Sequence, residues 1–246
     1  ELIAWLTSRG HRVSLGHSGA TYEQSLAAIA AGARQATHLF NRMPRLDHRA
    51  PGLVGAVLQT DEVAAELICD GFHVHPAVAG MAIAAKGVGR VMAITDGTAA
   101  SGLAAGSAAR LGGRRIHVRE HAAFLDDGTL AGSTLTMDAA FRTIVRVVGR
   151  TVADAAMMCS TTPARELGLN GFGVLAPDAV ANPPERRRGA AARELYRPPA
   201  PAHAHKPRRS TRGPPRVARG PQAPRPSVRA GVRSAPPGNL LPLVLR

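Results

Sequence analysis

The sequence predicts an α/β fold of the (β/α) barrel type, and three observations carry the prediction. Four short apolar runs each end on a polar, chemistry-bearing residue or segment: His17, His38, Asp70 to His73, and Asp96. The first two endings lie 21 residues apart, room for one helix and one strand. In a parallel α/β sheet that spacing returns the chain to the same edge, so side chains from neighbouring strand ends can share one ion. Finally, 45% of the residues are hydrophobic, ample for a packed core.

The elements follow in order. Leu2 to Ser8 is helix-like, and the alternation Val13, Leu15, His17 reads as a strand. Thr21-Tyr-Glu-Gln24 is a capping-box signature, which opens a helix with Leu26, Ile29, Ala30 and Ala33 on one face. Ala36 to Phe40 is the second expected strand, and Asn41 to Gly52 a turn-rich loop of the kind that commonly holds function. Ala64 to Cys69 is the third strand. Pro76 suits the first turn of a helix that ends before Gly87, and Arg90 to Thr95 is the fourth strand. From Ala109 to Gly132 the pattern changes to hairpins with turns at Gly112-Gly113 and Asp127-Gly128. Helices are expected over Thr136 to Val148, Thr151 to Ser160, and from Thr162-Pro163 to Gly168. The domain boundaries implied are 1–108, 109–135, 136–176 and 177–246.

The last segment differs in kind. It holds 15 of the 31 Lys and Arg, 15 of the 19 prolines and only 3 of the 17 acids, so its charge is +12 against +2 for residues 1–176. Such a composition cannot bury enough apolar surface to offset its ordering entropy and is expected to be disordered. Arg, Ala, Gly and Pro are encoded by GC-rich codons, so the segment after about Pro177 is expected to be a frameshifted reading of a GC-rich gene. The rival is a genuine basic tail that binds nucleic acid, for which one aromatic, Tyr196, and no recognition motif are thin support. Cys69 and Cys159 form no C-x-x-C pair, and reduced thiols in a cytoplasmic protein are expected. No apolar run approaches the roughly 18 residues of a membrane helix.

The chemistry concentrates in a few positions. Histidine is the commonest zinc ligand, and a catalytic zinc uses about three protein ligands with one position open to water. A lone strand-end histidine is commonly a hydrogen-bonded structural residue, but His17 and His38 occupy equivalent places in successive units. Asp96 ends the last strand, where a carboxylate takes a proton from activated water and later passes it to a leaving group. Its alternative is a helix N-cap. Arg49 and His73 are candidates to grip an anion, since Arg offers a planar fork to phosphate or carboxylate. His11, His48, His75, His117 and His121 are read as structural, Met157 and Met158 as core. Ser133 to Met137 is a binding loop or the start of a helix. Neither Ser18 nor Ser133 has the G-x-S-x-G setting of a hydrolase elbow.

Six ordered motifs, G-H-S-x-A-T-Y (Gly16 to Tyr22), A-T-H-L-F-N-x-M-P (Ala36 to Pro44), H-R-x-P-G (His48 to Gly52), D-G-x-H-V-H-P (Asp70 to Pro76), I-T-D (Ile94 to Asp96) and D-G-T-L-A-G-S-T-L-T-M (Asp127 to Met137), together resemble the N-acetylglucosamine-6-phosphate deacetylases of the amidohydrolase superfamily. The likeness runs from Glu1 to about Ala176. It implies the C-terminal half of a (β/α)8 barrel, part of a small β domain, a divalent metal with zinc expected, an amino sugar phosphate as substrate, and a homodimer. His17 and His38 match the histidine metal ligands and Asp96 the catalytic carboxylate. Asn41, Arg42, Arg49, Asp70, Gly71, Phe72, His73, Leu135, Thr136 and Met137 match the substrate-binding positions. Arg42, Ala50 and Gly97 depart from the family's usual residues. The resemblance also implies a third metal ligand, a Glu, and a carbonyl-polarising His in a first half-barrel that this chain lacks, so the chain is expected to be a fragment. A dihydroorotase-like amidohydrolase is the alternative enzyme, against which a phosphate-binding Arg49 speaks.

Overall fold

A strand buried on both faces reads as a near-continuous apolar run, and Ala64-Ala-Glu-Leu-Ile68, interrupted only by Glu66, has all five residues buried. In the computed structural model, which describes residues 1–119 and 122–180 and the backbone of 243–244, this run is β3 of a parallel sheet. β1 (Ser14–Leu15), β2 (Gln35–Ala36), β3 (Ala64–Ile68) and β4 (Val91–Ile94) lie side by side in chain order. Leu15 stands opposite Ala36, Ala36 opposite Ala65 and Leu67 opposite Ala93. The pair Leu243–Val244 runs antiparallel to β1.

α1 (Leu2–Ser8) precedes β1, and α2 (Tyr22–Ala30), α3 (Gly52–Gln59) and α4 (Pro76–Lys86) connect successive strands. The expected caps are present. Thr21 accepts from the Gln24 amide while the Gln24 side chain accepts from the Thr21 amide, and α4 begins on Pro76 and ends before Gly87. The helix α3 is an addition to the sequence reading. Its Leu53, Val54, Ala56 and Val57 are buried, but the turn-rich segment before it and the glycines at 52 and 55 obscure the period. A short 3-10 turn, Val88–Arg90, leads into β4.

The expected strands Val13 to His17 and Ala36 to Phe40 are shorter than predicted. The ladder stops at Leu15 and Ala36 because His17 (φ 47°), His38 (φ 31°) and Phe40 (φ 78°) adopt left-handed backbone, which an extended strand cannot contain.

A second sheet is an antiparallel meander of β5 (Ala108–Leu111), β6 (Arg114–Arg119), β7 (Ala122–Leu125) and β8 (Leu130–Ser133). The Gly112-Gly113 turn has positive φ at both residues, the geometry that matches strand twist in a two-residue hairpin. This sheet has its own small core of Ala100, Ile116, Val118, Ala123, Leu125 and Ala131. Beyond it come α5 (Met137–Arg146), with Ala140 and Ile144 buried, α6 (Val152–Ala156) and α7 (Thr162–Glu166). The break expected between the last two is instead a π turn over Met157–Thr161. Wider turns accommodate Pro163, whose missing N–H would otherwise leave a gap in an α ladder. Met158 is core as expected, whereas Met157 is 37% exposed.

The helices are tied to the sheet by Glu166. Its buried carboxylate meets Arg12 ahead of β1, Arg90 ahead of β4 and Arg165. Among the described residues no helix is long and apolar enough to cross a membrane. Of the tail expected to be disordered and frameshifted, 177–246, all but 177–180 and the backbone of 243–244 lies outside the described residues, as does His121.

Candidate active site

The C-terminal ends of β1, β2 and β4 deliver His17, His38 and Asp96, and all three have left-handed φ (47°, 31° and 47°). A non-glycine residue there is uncommon and costs free energy, though His and Asp tolerate it better than most. The turns are held from outside. Ser14 and Thr37 hydroxyls pair at 2.7 Å, and a Cβ on Gly16 would sit 2.9 Å from the Thr37 Cβ, so only glycine lets the two strand ends approach this closely. The His38 N–H donates to the Glu66 carboxylate at 3.3 Å and the Leu39 N–H to the Glu66 carbonyl at 2.8 Å. Glu66, buried in β3, also accepts from the Gln35 side chain at 2.5 Å. Asn41 closes the turn by reaching back to the His38 and Leu39 carbonyls, both at 3.4 Å.

The result is that the Nε2 atoms of His17 and His38 face each other at 2.8 Å, with ring centroids 4.7 Å apart. Burial, the neighbouring His38 and the Arg42 guanidinium lower the pKa of His17, while Asp96 opposes them. A neutral imidazole is the form that binds a metal. Two convergent imidazole nitrogens suit a zinc-class ion. Among the described residues no group of three His, Cys, Asp or Glu surrounds one point, and the His17–His38 pair offers two nitrogens where a catalytic zinc takes about three protein ligands. The His38 Nδ1 atom is buried and has no hydrogen-bond partner among the described residues.

Asp96 is followed by no helix, which removes the N-cap reading. Its carbonyl accepts from the Ser133 N–H at 3.0 Å, and Gly97 bridges to Ser133. From Ser133 the second sheet leads into Leu135, Thr136 and Met137, of which Met137 shares a cleft with Asp96. A cleft of about 420 Å³ is lined by Thr95, Asp96, Gly97, Met137, Cys159 and Pro163. Burial pushes the Cys159 thiol up to about 11. Burial, with Cys159 and Asp70 nearby, pushes Cys69 up to about 12, so neither is a nucleophile.

The Asp70 to His73 turn follows β3. Burial raises the Asp70 pKa, but the hydrogen bonds from the His73 ring at 2.6 Å and from the His73 and Phe72 amides, at 2.8 Å each, outweigh it and hold the carboxyl below the usual range. Both side chains are 3% exposed, so His73 Nδ1 is committed to Asp70. Gly71 turns the chain at φ 77°, and Phe72, 53% exposed, meets Phe124 of β7 edge-on. Arg49 lies on an exposed loop with its guanidinium 2.6 Å from His48 Nε2. The structure therefore brings together His17, His38 and Asp96, with Arg42 near His17, and links Asp96 to Leu135. It leaves Arg49 and His73 each with a different neighbour. His75 caps α4 through its own Nδ1 and His117 pairs with Asp126, as structural roles require. Sequence reading missed Glu66, and it named Ser133 as the first residue of the Ser133 to Met137 segment. The signal for Glu66 was a lone acid inside an apolar strand.

No family model matches the chain. It is 43% identical over 170 residues to N-acetylglucosamine-6-phosphate deacetylase of Lysinibacillus sphaericus, which covers 69% of this chain and 44% of that one. The chain thus spans less than half the length of this curated relative. A shorter Escherichia coli (strain K12) relative, which carries the N-acetylgalactosamine-6-phosphate deacetylase name provisionally, is 41% identical over 146 residues, 59% of this chain and 86% of its own. A solved structure of N-acetyl-D-glucosamine-6-phosphate deacetylase from Mycobacterium smegmatis, an aspartate-to-alanine variant in complex with N-acetyl-D-glucosamine-6-phosphate, superposes with a TM-score of 0.66 at 39% identity, over 68% of this chain and 45% of that one. The chain belongs to the N-acetylglucosamine-6-phosphate deacetylase family.

Proposed function

We propose that this chain carries the catalytic half of a deacetylase that hydrolyses N-acetylglucosamine 6-phosphate to glucosamine 6-phosphate and acetate. In this reading β1 to β4 are the second half of a (β/α)8 barrel and β5 to β8 belong to a small β domain. The observation that supports it most is the meeting of His17 and His38 at 2.8 Å beside Asp96, at three strand ends. His17 and His38 would hold a divalent ion, zinc by their chemistry, which supplies Lewis acidity toward water and the amide carbonyl. Asp96 accepts the proton of the attacking water as oxygen bonds to the carbonyl carbon, then returns it to the nitrogen as the C–N bond breaks. Leu135, Thr136 and Met137 line the approach to Asp96, while Asn41, Arg42, Arg49, Asp70, Gly71, Phe72 and His73 hold the sugar and its phosphate. For His73 this requires its remaining Nε2, since Nδ1 is taken by Asp70. The reaction takes place in the cytoplasm, where Cys69 and Cys159 stay reduced.

Asp96→Asn tests the core of the proposal in the intact protein. Shape is kept and proton transfer removed, so kcat falls by roughly 10²-fold or more with substrate binding retained. A near-normal kcat moves the role away from Asp96. The N-acetylgalactosamine name of one relative favours a second reading, the 4-epimeric substrate. The ratio of kcat/KM for the two sugar phosphates decides between them.

A further inference from the structure

We propose that Ser133 is the positioning residue that fixes Asp96 and the Leu135–Met137 segment in one geometry, an inference that rests on Asp96 being the proton carrier. Ser133 ends β8 and is 0% exposed. It comes from the second sheet, not from the one that carries Asp96. Its hydroxyl bonds to the Thr95 carbonyl and its N–H donates to the Asp96 carbonyl at 3.0 Å. Those two carbonyls belong to the peptide planes on either side of the Asp96 Cα. Because φ and ψ of a residue are the angles those planes make with its Cα, holding both planes sets the backbone of Asp96. That backbone is left-handed at φ 47°, a conformation an aspartate keeps only when its surroundings over-determine it.

The same hydroxyl oxygen accepts from the Leu135 N–H at 3.1 Å, and the Ser133 carbonyl accepts from the Ser101 hydroxyl at 3.3 Å. One side chain therefore ties the base to the segment whose Met137 lines the cleft. A serine that merely shapes a turn would make the Leu135 bond alone. It would have no reason to reach 38 residues back to Thr95. Gly132 belongs to the same joint. At φ 75° it passes so close that a Cβ would lie 2.9 Å from the Asp96 carbonyl oxygen and 2.4 Å from the Thr98 Cγ2.

A double-mutant cycle on the intact protein tests this, with kcat for N-acetylglucosamine 6-phosphate measured for wild type, Ser133→Ala, Asp96→Asn and the double variant. Ser133→Ala is expected to lower kcat by about 10- to 10²-fold in wild type, the effect of a misplaced catalytic group, and by less than about 2-fold in the Asp96→Asn background. Should Ser133→Ala fail to accumulate as folded protein, Ser133→Cys nearly keeps the volume while weakening the hydrogen bond, and the same pattern is expected at smaller amplitude. An equal factor in both backgrounds overturns the proposal, because Ser133 then acts independently of Asp96. An Asp96→Asn variant with near-normal kcat instead overturns the functional reading underneath, and the positioning role with it.

Discussion

Replacing Glu66 should loosen a metal site it does not touch through a carboxylate ligand bond. The carboxylate, inside β3 with 1% exposure, accepts from the left-handed His38 N–H and from the side chain of Gln35 in β2. Glu66→Leu keeps similar volume but removes both acceptors. Each of the two buried donors left unmade costs about 1–3 kcal/mol, so the protein should lose roughly 2–6 kcal/mol of stability by urea denaturation. Freed from its anchor, the His38 turn should relax, and outer partners of metal ligands are worth about 10- to 10²-fold in affinity. Glu66→Gln is the control. The Gln35 amide can flip to present its oxygen to the new NH2 while the new carbonyl keeps the His38 N–H, so affinity should change by no more than about 3-fold, or roughly 0.6 kcal/mol. Chelator competition for zinc reads the affinity. Glu66→Leu with unaltered affinity would refute the reasoning, as would Glu66→Gln as damaging as Glu66→Leu, since charge and not hydrogen bonding would then be the cause.

The remaining expectations follow from the same geometry. His38→Ala should abolish the one divalent ion expected per intact protein, and equal metal content by elemental analysis in mutant and wild type would sink the ligand assignment. Arg49→Ala should lower kcat/KM for the phosphorylated substrate while sparing the slow reaction with unphosphorylated N-acetylglucosamine; equal losses would make Arg49 structural. Asp70 has a folded pKa below its ordinary value, so its ionised form contributes stability that is present above about pH 4 and lost as pH falls through the folded pKa. The stability gap between wild type and Asp70→Asn should accordingly be constant from about pH 5 upward and shrink below about pH 4. A gap that persists unchanged to about pH 2 counts against the hydrogen-bonded turn.

Elements that local chemistry determines were readable in the sequence. Thr21 and Gln24 satisfy each other's backbone groups whatever lies around them, Pro76 can only open a helix, and Gly112-Gly113 supplies two positive φ angles that few other pairs could. The strand-end places of His17, His38 and Asp96 were readable for the same reason, because apolar runs mark where strands stop. Their left-handed backbone was not, since it depends on partners 28 to 38 residues away in sequence. Arg49 and His73 look alike in a string of letters as two cationic candidates. Only the fold shows that His73 is buried on Asp70 while Arg49 stands on an exposed loop beside His48.

The strain in this site is supported from a distance in a consistent order. His38 on β2 is held by Glu66 from β3, the next strand, and Asp96 after β4 is held by Ser133 from β8, the last strand of the next sheet. Each chemical residue is thus made rigid by an element that follows it in the chain. Left-handed Asp96 is held by Ser133 of the paired meander, with Gly132 passing close to Thr98, so the Asp96 turn depends on the second sheet being in place. It follows that a substitution confined to the second sheet acts on the Asp96 turn through Ser133, whereas the His17–His38 pair rests on β1, β2 and β3 and feels that sheet through the Asp96 charge. On the proposed roles, Glu66 and Ser133 substitutions should therefore differ in the step they weaken, the first metal binding and the second proton transfer.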